Sequence, residues 1–235
     1  MLRLADPLPI VDAFPAPWDL IGHGWVIALR LPPGAAAREA FVPEAMQGHT
    51  TGPVSLLVFA DYARADCGPY QELLFIPGLG RLGKARLCPT VSRILVSTWA
   101  SVVNGRANWG IPKDRADFDV MYGATRGNDD RIRVSLAGRK IAELRLATIP
   151  MTPSVPVNAG LVPKALRTLA QYHDGRVYRF APQASGWCRP GRLMSWSFDR
   201  ELFPDLVGAR VFAAFKINSF RMTFPVAEIR EGASP

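Results

Sequence analysis

Short runs of apolar residues, many alternating with polar ones, recur along the chain and are usually closed by glycine or proline. Alternation with a period of two is typical of a β-strand that has one face on a core. The spacing of the runs between residues 118 and 146 indicates an antiparallel meander. In chain order, the pattern predicts strands at 25–31, 54–62, 70–76, 91–97, 118–122, 131–136, 140–146, 177–180 and 220–224.

Helical periodicity is weaker and occurs in short segments. Thr98 can cap a helix that ends near Gly110. The apolar face of that helix would consist of Trp99, Val102 and Val103. Residues 35–41 indicate one further short helix, and the leucine spacing within 162–172 also suits a helix.

The composition indicates one mainly β domain. A chain of 235 residues that is 49% hydrophobic can bury one good core, and all-β barrels of this size are commonly one domain. The 21 prolines and 20 glycines are scattered, as expected for many short strands and turns. We expect antiparallel strands that form a closed or half-closed barrel with a few short helices, as a single domain over 1–235. Such a barrel also supplies a pocket.

The formal net charge is +8 and the pI is about 9.9, which raises the question of a nucleic-acid partner. The basic residues do not cluster, because arginines alternate with acidic or apolar residues, as at 130–133 and 221–224. A solvated strand face explains this pattern better than a nucleic-acid surface. The charge would still attract anionic substrates.

The three cysteines, Cys67, Cys88 and Cys188, have neither CxxC nor zinc-type spacing with the three histidines. We expect reduced thiols, no metal and no cofactor. The apolar run at the N-terminus is too short for a signal peptide, and no segment approaches about 18 uninterrupted apolar residues. The sequence therefore predicts a cytoplasmic protein without a membrane partner.

Residues 1–22 are rich in proline and indicate an extended arm that crosses the core or a neighbouring subunit. A frayed terminus explains this composition equally well. Together with aromatic residues on both faces of the strands, the arm favours a homo-oligomer.

The segment 78–84, Gly-Leu-Gly-Arg-Leu-Gly-Lys, matches two phosphate-binding patterns. A P-loop needs Ser or Thr after the lysine, but Ala85 stands there. A dinucleotide-binding turn must open a helix, but Pro89 follows closely. We interpret the segment as a glycine-rich connector between strands.

Lys113 stands out because only five lysines accompany 23 arginines. It follows Ile111 and Pro112, and the proline restricts Ile111 to an extended geometry. A stiff turn would give a nucleophile a fixed approach, and an amine, unlike a guanidinium, can lose its proton and attack a carbonyl group. From residue chemistry alone, a surface lysine after a proline turn is the simpler interpretation.

Four stretches resemble the acetoacetate decarboxylase family and follow one another along the chain in the same order as in that family. Gly105-Arg106, followed after five residues by Pro112-Lys113, resembles its Gly-Arg-Glu and Pro-Lys-Lys signature, whose lysine forms a Schiff base with a β-keto acid. Residues 68–72, Gly-Pro-Tyr-Gln-Glu, resemble its Tyr-x-Glu segment. The remaining similarities are at 172–175, and at 189–193 with 203–206. The resemblance covers nearly the whole chain and implies the barrel fold of that family, with a strand rather than a helix at 162–172.

The resemblance also implies roles for individual residues. Lys113 would be the Schiff-base nucleophile, and Glu72 would donate a proton or orient the substrate. A free lysine amine has a pKa of about 10.4, and burial lowers the pKa of such amines, as in acetoacetate decarboxylase itself. The implied substrate-binding residues are Arg106, Trp109, Tyr70 and His23, the last in the position of a substrate-facing arginine.

Two positions depart from the family pattern. Asp114 replaces the second lysine, and Ala107 replaces the acid of the Gly-Arg-Glu motif. A carboxylate within about 4–6 Å of an amine favours the charged form. In an extended turn, however, neighbouring side chains point to opposite sides, and Asp114 would then face solvent or pair with Arg115 or Arg106. We therefore expect a keto or enone acid other than acetoacetate, handled through a Schiff base.

A competing interpretation is a non-catalytic barrel that binds a small apolar or anionic ligand. Lys113 would then serve only as a charge partner. A serine hydrolase is a weaker hypothesis, because no GxSxG elbow occurs in the sequence.

Overall fold

The computed structural model describes residues 7–81, 87–123 and 129–231. The strands are β1 (Trp18–Arg30), β2 (Thr50–Thr51), β3 (Ser55–Arg64), β4 (Tyr70–Ile76), β5 (Leu79–Gly80), β6 (Cys88–Pro89), β7 (Arg93–Val96), β8 (Lys113–Arg115), β9 (Asp117–Met121), β10 (Asp130–Leu136), β11 (Arg139–Thr148), β12 (Val155–Asn158), β13 (Leu169–His173), β14 (Arg176–Phe180), β15 (Gln183–Phe198), β16 (Arg210–Phe224) and β17 (Glu228–Glu231). The α-helices are α1 (Ala36–Glu39), α2 (Trp99–Trp109) and α3 (Lys164–Arg167), with 3-10 turns at Glu44–Met46 and Ala159–Leu161.

One long sheet forms the framework of the molecule. Its strands follow the order β8-β7-β4-β3-β1-β16-β15-β11-β10-β9, with β12 beside β15. Neighbouring strands are antiparallel except β7 and β8, which are parallel. The sheet curls strongly into a half-barrel, and the single residue Ala116 connects the strands at its two edges, β8 and β9. This architecture confirms the predicted mainly β fold.

Most of the predicted elements occur where the hydrophobic pattern placed them. The strand predicted at 70–76 is β4, and the meander predicted between 118 and 146 is formed by β9, β10 and β11. The segment 162–172 is neither all helix nor all strand, because it contains α3 and then enters β13. Neither prediction for this segment was therefore complete.

The hydrophobic pattern does not predict the longest strand, β15, because Pro190 and Gly191 interrupt the alternation. A β-carbon at Gly191 would lie 2.4 Å from the ring of Trp25. Glycine within a strand commonly marks such a close approach. The proline and glycine therefore mark a place where the curled sheet packs on Trp25, and the strand continues through them.

The sheet separates two hydrophobic cores, as β4 shows most clearly. Leu73 and Phe75 belong to one core. Tyr70, Glu72 and Leu74 alternate with them and face a cavity on the other side. The period of two along β4 thus delivers an acid and a tyrosine to one enclosed space.

The N-terminal arm lies against α2 of the same chain. The backbone N–H of Phe14 donates to Asn104 Oδ1 at 2.7 Å, and Asn104 Nδ2 donates to the carbonyl oxygen of Asp12 at 2.9 Å. Asn108 Nδ2 donates to the carbonyl oxygen of Phe14 at 2.8 Å. The arm therefore covers the helix that precedes Lys113; residues 1–6 of the predicted arm lie outside the described residues.

In the predicted glycine-rich connector, Leu79 and Gly80 form β5, and residues 82–86 lie outside the described residues. The three cysteines are free, in agreement with the predicted reduced thiols, and all three are buried. Among the described helices, none has the length and apolar character needed to cross a membrane.

Candidate active site

Helix α2 and strand β8 together position Lys113. Thr98 caps the helix, because its side chain accepts a hydrogen bond from the backbone N–H of Ser101 at 3.3 Å. Gly110 ends the helix in the left-handed conformation, with φ of 61°. Ile111 and Pro112 then lead into β8, where Lys113 aligns with Ile94 of the parallel strand β7. Both helix boundaries agree with the prediction from sequence.

The Lys113 amine is buried and surrounded by oxygen atoms. The residue is 3% exposed. Its Nζ lies 3.2 Å from Glu72 Oε2 and donates to Ser101 Oγ at 2.9 Å. Tyr70 Oη is 3.4 Å from the same nitrogen, and the aromatic ring of Tyr70 lies beneath it at 5.0 Å. One carboxylate and two hydroxyl groups therefore hold the Lys113 amine in place.

Glu72 in turn is held by a second tyrosine. Tyr62 Oη donates to Glu72 Oε1 at 3.1 Å, while Glu72 Oε2 faces Lys113. Burial raises the pKa of both Tyr62 and Tyr70 well above the usual value, and the neighbouring Glu72 carboxylate raises them further. Both phenols therefore keep their protons and can act as hydrogen-bond donors.

Asp114 lies on the other side of β8 from the cavity and does not contact the amine of Lys113. Its carboxylate pairs with Arg106 Nη2 at 2.6 Å and with Arg93 Nη1. Arg93 Nε also donates to the carbonyl oxygen of Leu202 at 2.8 Å, and burial lowers the pKa of the Arg93 guanidinium while Asp114 opposes that shift. Of the three predicted alternatives for Asp114, the pairing with Arg106 is observed. Asp114 is buried rather than facing solvent, and Arg115 pairs with Asp117 instead. Arg93 is a second partner that was not predicted.

Arg106 does not line the cavity. Its Nε donates to the backbone carbonyl oxygen of Lys113 at 2.8 Å, and its Nη2 binds Asp114. Its guanidinium therefore holds the backbone of β8 against α2. These contacts explain why an arginine occupies this position, and they do not require Arg106 to contact the substrate.

The cavity in front of Lys113 has a volume of about 230 Å³. Its walls are mostly aromatic and aliphatic, and Glu72, Lys113, Tyr62 and Tyr70 are its ionisable members. The indole rings of Trp18 and Trp109 meet edge to face with centroids 4.9 Å apart. The space is therefore apolar, with one polar end at the lysine. Within the described residues, no group of three or more His, Cys, Asp or Glu side chains is arranged to hold a metal ion.

The structure brings together four of the six residues suggested by sequence: Lys113, Glu72, Tyr70 and Trp109 line one cavity. Arg106 lies behind β8. His23 lies elsewhere on β1, where its ring is 4.9 Å from that of Tyr122, and it is absent from the described cavity lining.

Three residues in contact with this group were missed, namely Tyr62, Ser101 and Trp18. Tyr62 could have been identified from its position near the end of β3, where it pairs with Tyr70 in the register of β3 and β4. Ser101 could have been found from its position on α2, one helical turn before Gly105.

No protein-family model matches the sequence, and a search of curated proteins finds no match. Solved structures do match it in fold. The acetoacetate decarboxylase from Legionella pneumophila has a TM-score of 0.66 at 16% identity, over 97% of this chain and 93% of that chain. The enduracididine biosynthesis enzyme MppR complexed with pyruvate has a TM-score of 0.65 at 17% identity, over 99% of both chains.

An acetoacetate decarboxylase-like enzyme from Sphingomonas wittichii is similar over 99% of both chains, with a TM-score of 0.67 at 14% identity. Similarity at these identities concerns the fold. The half-barrel, its strand order and these matches together show that the chain has the acetoacetate decarboxylase-like fold.

Proposed function

We propose that this protein is a Schiff-base-forming lyase in which Lys113 condenses with the carbonyl group of a small substrate. The observation that carries the proposal is the buried Lys113 amine, 3.2 Å from the Glu72 carboxylate at the polar end of an apolar cavity. The sequence resemblance predicts a small keto acid, and two matched proteins, an acetoacetate decarboxylase and an enzyme complexed with pyruvate, favour the same class.

Glu72 is the group that can free the amine for attack. When a substrate enters, the carboxylate takes a proton from the Lys113 ammonium, and the nitrogen lone pair forms a bond to the carbonyl carbon. Loss of a second proton from nitrogen and protonation of the former carbonyl oxygen then release water and leave a positively charged iminium. Glu72 and the phenol of Tyr70 are close enough to the nitrogen to relay these protons, and Tyr62 holds Glu72 through its other carboxylate oxygen.

The iminium nitrogen then accepts an electron pair from a bond that breaks at the neighbouring carbon. Loss of carbon dioxide, retro-aldol cleavage and dehydration all use this electron sink. Loss of carbon dioxide and retro-aldol cleavage each give an enamine, which recovers a proton at carbon before water hydrolyses the iminium and frees the lysine. In dehydration, the α-carbon loses a proton to give the enamine, the enamine expels the protonated β-hydroxyl group as water, and hydrolysis of the unsaturated iminium frees the lysine. The catalytic residues in this proposal are Lys113 and Glu72, and Tyr70 and Trp109 contact the substrate.

A non-catalytic binding function is the second candidate, and one observation favours it. Lys113 and Glu72 form a buried ion pair, and pairing is a general way to accommodate two charges in an apolar interior. In that case the pair would bind a ligand without reacting with it.

Reductive trapping separates the two candidates. The protein is incubated with borohydride and a panel of keto acids and neutral ketones between about pH 6 and 9, a range in which the free lysine amine is largely protonated. Intact mass then reports any reduced adduct. Lys113→Arg keeps the charge but cannot form an imine, and it should abolish the adduct.

Lys216→Arg is the matched control, because Lys216 is also paired with a buried carboxylate, Asp130, at 2.6 Å. This variant should form the adduct as the wild type does. A panel that leaves the wild-type mass unchanged would favour the binding function.

A further inference from the structure

The charged groups that line the cavity determine which net charge a bound substrate can carry. Of the eighteen described residues that line it, Glu72 and Lys113 carry a formal charge, one negative and one positive. In the proposed chemistry Lys113 is consumed by the Schiff base. The iminium nitrogen then replaces the ammonium as the partner of Glu72, and the cavity stays neutral overall.

A keto acid would upset this balance. Its carboxylate would add a second negative charge beside Glu72 unless Glu72 took up a proton, and like charges at close range disfavour ionisation. An ionised carboxylate in an apolar site is costly unless it is paired and hydrogen-bonded.

The nearby hydrogen-bond donors are already engaged. Trp109 Nε1 donates to the carbonyl oxygen of Pro225 at 2.7 Å, and Trp18 Nε1 donates to that of Phe14 at 2.9 Å. Tyr62 donates to Glu72. Tyr70 Oη lies 3.4 Å from the Lys113 amine and is hydrogen-bonded to Ser101 and Glu72. A substrate carboxylate would therefore have to displace an existing hydrogen bond to find a donor in the described lining.

The walls of the cavity suit a substrate whose apolar group is about the size of an aromatic ring. The volume of about 230 Å³ exceeds the roughly 150 Å³ of an engineered apolar cavity that binds benzene. The rings of Trp109, Phe180 and Phe224 have centroids 5.3–6.3 Å apart, within the range in which aromatic groups attract one another. These three rings and Lys113 line the same cavity, so that a planar apolar group in the cavity can lie against the rings with its carbonyl carbon toward Lys113.

We propose that the preferred substrate is an uncharged ketone or aldehyde with an apolar, ring-sized body, rather than a keto acid. This inference rests on the proposed Schiff-base function of Lys113. A substrate without a carboxyl group cannot lose carbon dioxide, and a β-hydroxy ketone illustrates the chemistry that remains.

In the iminium of a β-hydroxy ketone, the bond between the α- and β-carbons breaks, and its electrons form the enamine. The hydroxyl proton passes to Glu72, and an aldehyde leaves. The enamine carbon then takes the proton back, and water releases the ketone.

Four probes test charge and size independently: acetone, pyruvate, phenylacetone and phenylpyruvate. Each is trapped on the wild-type protein with cyanoborohydride, and the rate of adduct formation at Lys113 is divided by the rate on the side-chain amine of Nα-acetyl-lysine. This ratio removes the intrinsic reactivity of each carbonyl group. The normalised rate for phenylacetone should exceed that for phenylpyruvate by roughly tenfold or more, because the carboxylate is desolvated beside Glu72. It should also exceed the rate for acetone.

Glu72→Gln should narrow the difference between phenylacetone and phenylpyruvate, because it removes the repelling charge. If phenylpyruvate or pyruvate labels Lys113 as well as or better than its neutral counterpart, the inference is wrong while the Schiff-base function stands. If none of the four probes labels Lys113, the Schiff-base function fails and the inference fails with it.

Discussion

Gly105 and Lys113 touch so closely that the glycine cannot carry a side chain without moving the lysine. A β-carbon at Gly105 would lie 2.6 Å from Cδ and 2.8 Å from Cε of Lys113. The lysine side chain therefore runs across the surface of α2 in the space that the missing methyl group leaves. This contact gives the Gly105-Arg106 motif a physical role, since the glycine admits the lysine side chain and the arginine holds the lysine backbone.

Replacing Gly105 with alanine should impair trapping of Lys113 without unfolding the helix. Helix propensity alone favours alanine by about 1 kcal/mol, but the added methyl group displaces the amine from Glu72. We expect the rate of adduct formation to fall by roughly 10–100-fold, as misplacement of a reacting group by about 1 Å commonly does. Ala107→Gly is the control, because Ala107 is exposed on the same helix and its replacement weakens the helix without touching Lys113. An equal loss in Ala107→Gly would mean that trapping responds to any change in α2, and the contact between Gly105 and Lys113 would then not explain the effect.

Asp114 should be important for stability. Asp114→Asn would leave the buried guanidinium groups of Arg93 and Arg106 without their carboxylate, and breaking a buried pair typically costs about 3–5 kcal/mol. Asp117→Asn removes the partner of Arg115 in an exposed pair, for which about 0–1 kcal/mol is expected. Urea denaturation of both variants measures the difference in the free energy of unfolding. Similar small losses would show that the two arginines find other partners.

The tyrosines of the site should make the protein less stable at high pH. Burial, followed by the charge of Glu72, raises the pKa of Tyr62 and Tyr70 in the folded state. Unfolded tyrosines ionise near pH 10. As the pH rises through this value, the unfolded state loses protons that the folded state retains, and the free energy of unfolding falls. Tyr62→Phe should reduce this decline; an unchanged slope would contradict the shielded environment of Tyr62.

We also predict a homo-oligomer. Trp187 is 51% exposed and Leu161 is 84% exposed, and both line an open apolar groove beside β12 and β15. Exposed apolar patches of this kind commonly mark protein interfaces. Sedimentation velocity should give a species heavier than the 25.8 kDa chain, and Leu161→Asp should shift it toward the chain mass. A single species near 25.8 kDa for the wild type would contradict the prediction.

The hydrophobic pattern was sufficient for most of the strands that pack on a core and for α2 with both of its boundaries, because these depend on local spacing. It was not sufficient for β15, in which Pro190 and Gly191 interrupt the alternation although Leu193, Trp196 and Phe198 pack on the core.

The proximity of Lys113 and Glu72 was suggested by two motifs far apart in the chain. The partners of Asp114 could not be predicted in full, because Arg93 approaches it only through the parallel pairing of β7 and β8. His23 was assigned by alignment alone. A shift of one residue along β1 moves a side chain to the opposite face of the sheet, and such a shift therefore decides whether the side chain faces the cavity.

The most direct test of the account is the location of the reduced adduct. After trapping with phenylacetone, peptide mapping compares the modified fractions of Lys113 and Lys216, two lysines that both lie within 3.2 Å of a carboxylate. If Lys113 forms the Schiff base, the adduct should form at Lys113, leave Lys216 unmodified and disappear in Lys113→Arg. Equal labelling of the two lysines, or labelling that persists elsewhere in Lys113→Arg at the wild-type rate, would contradict it.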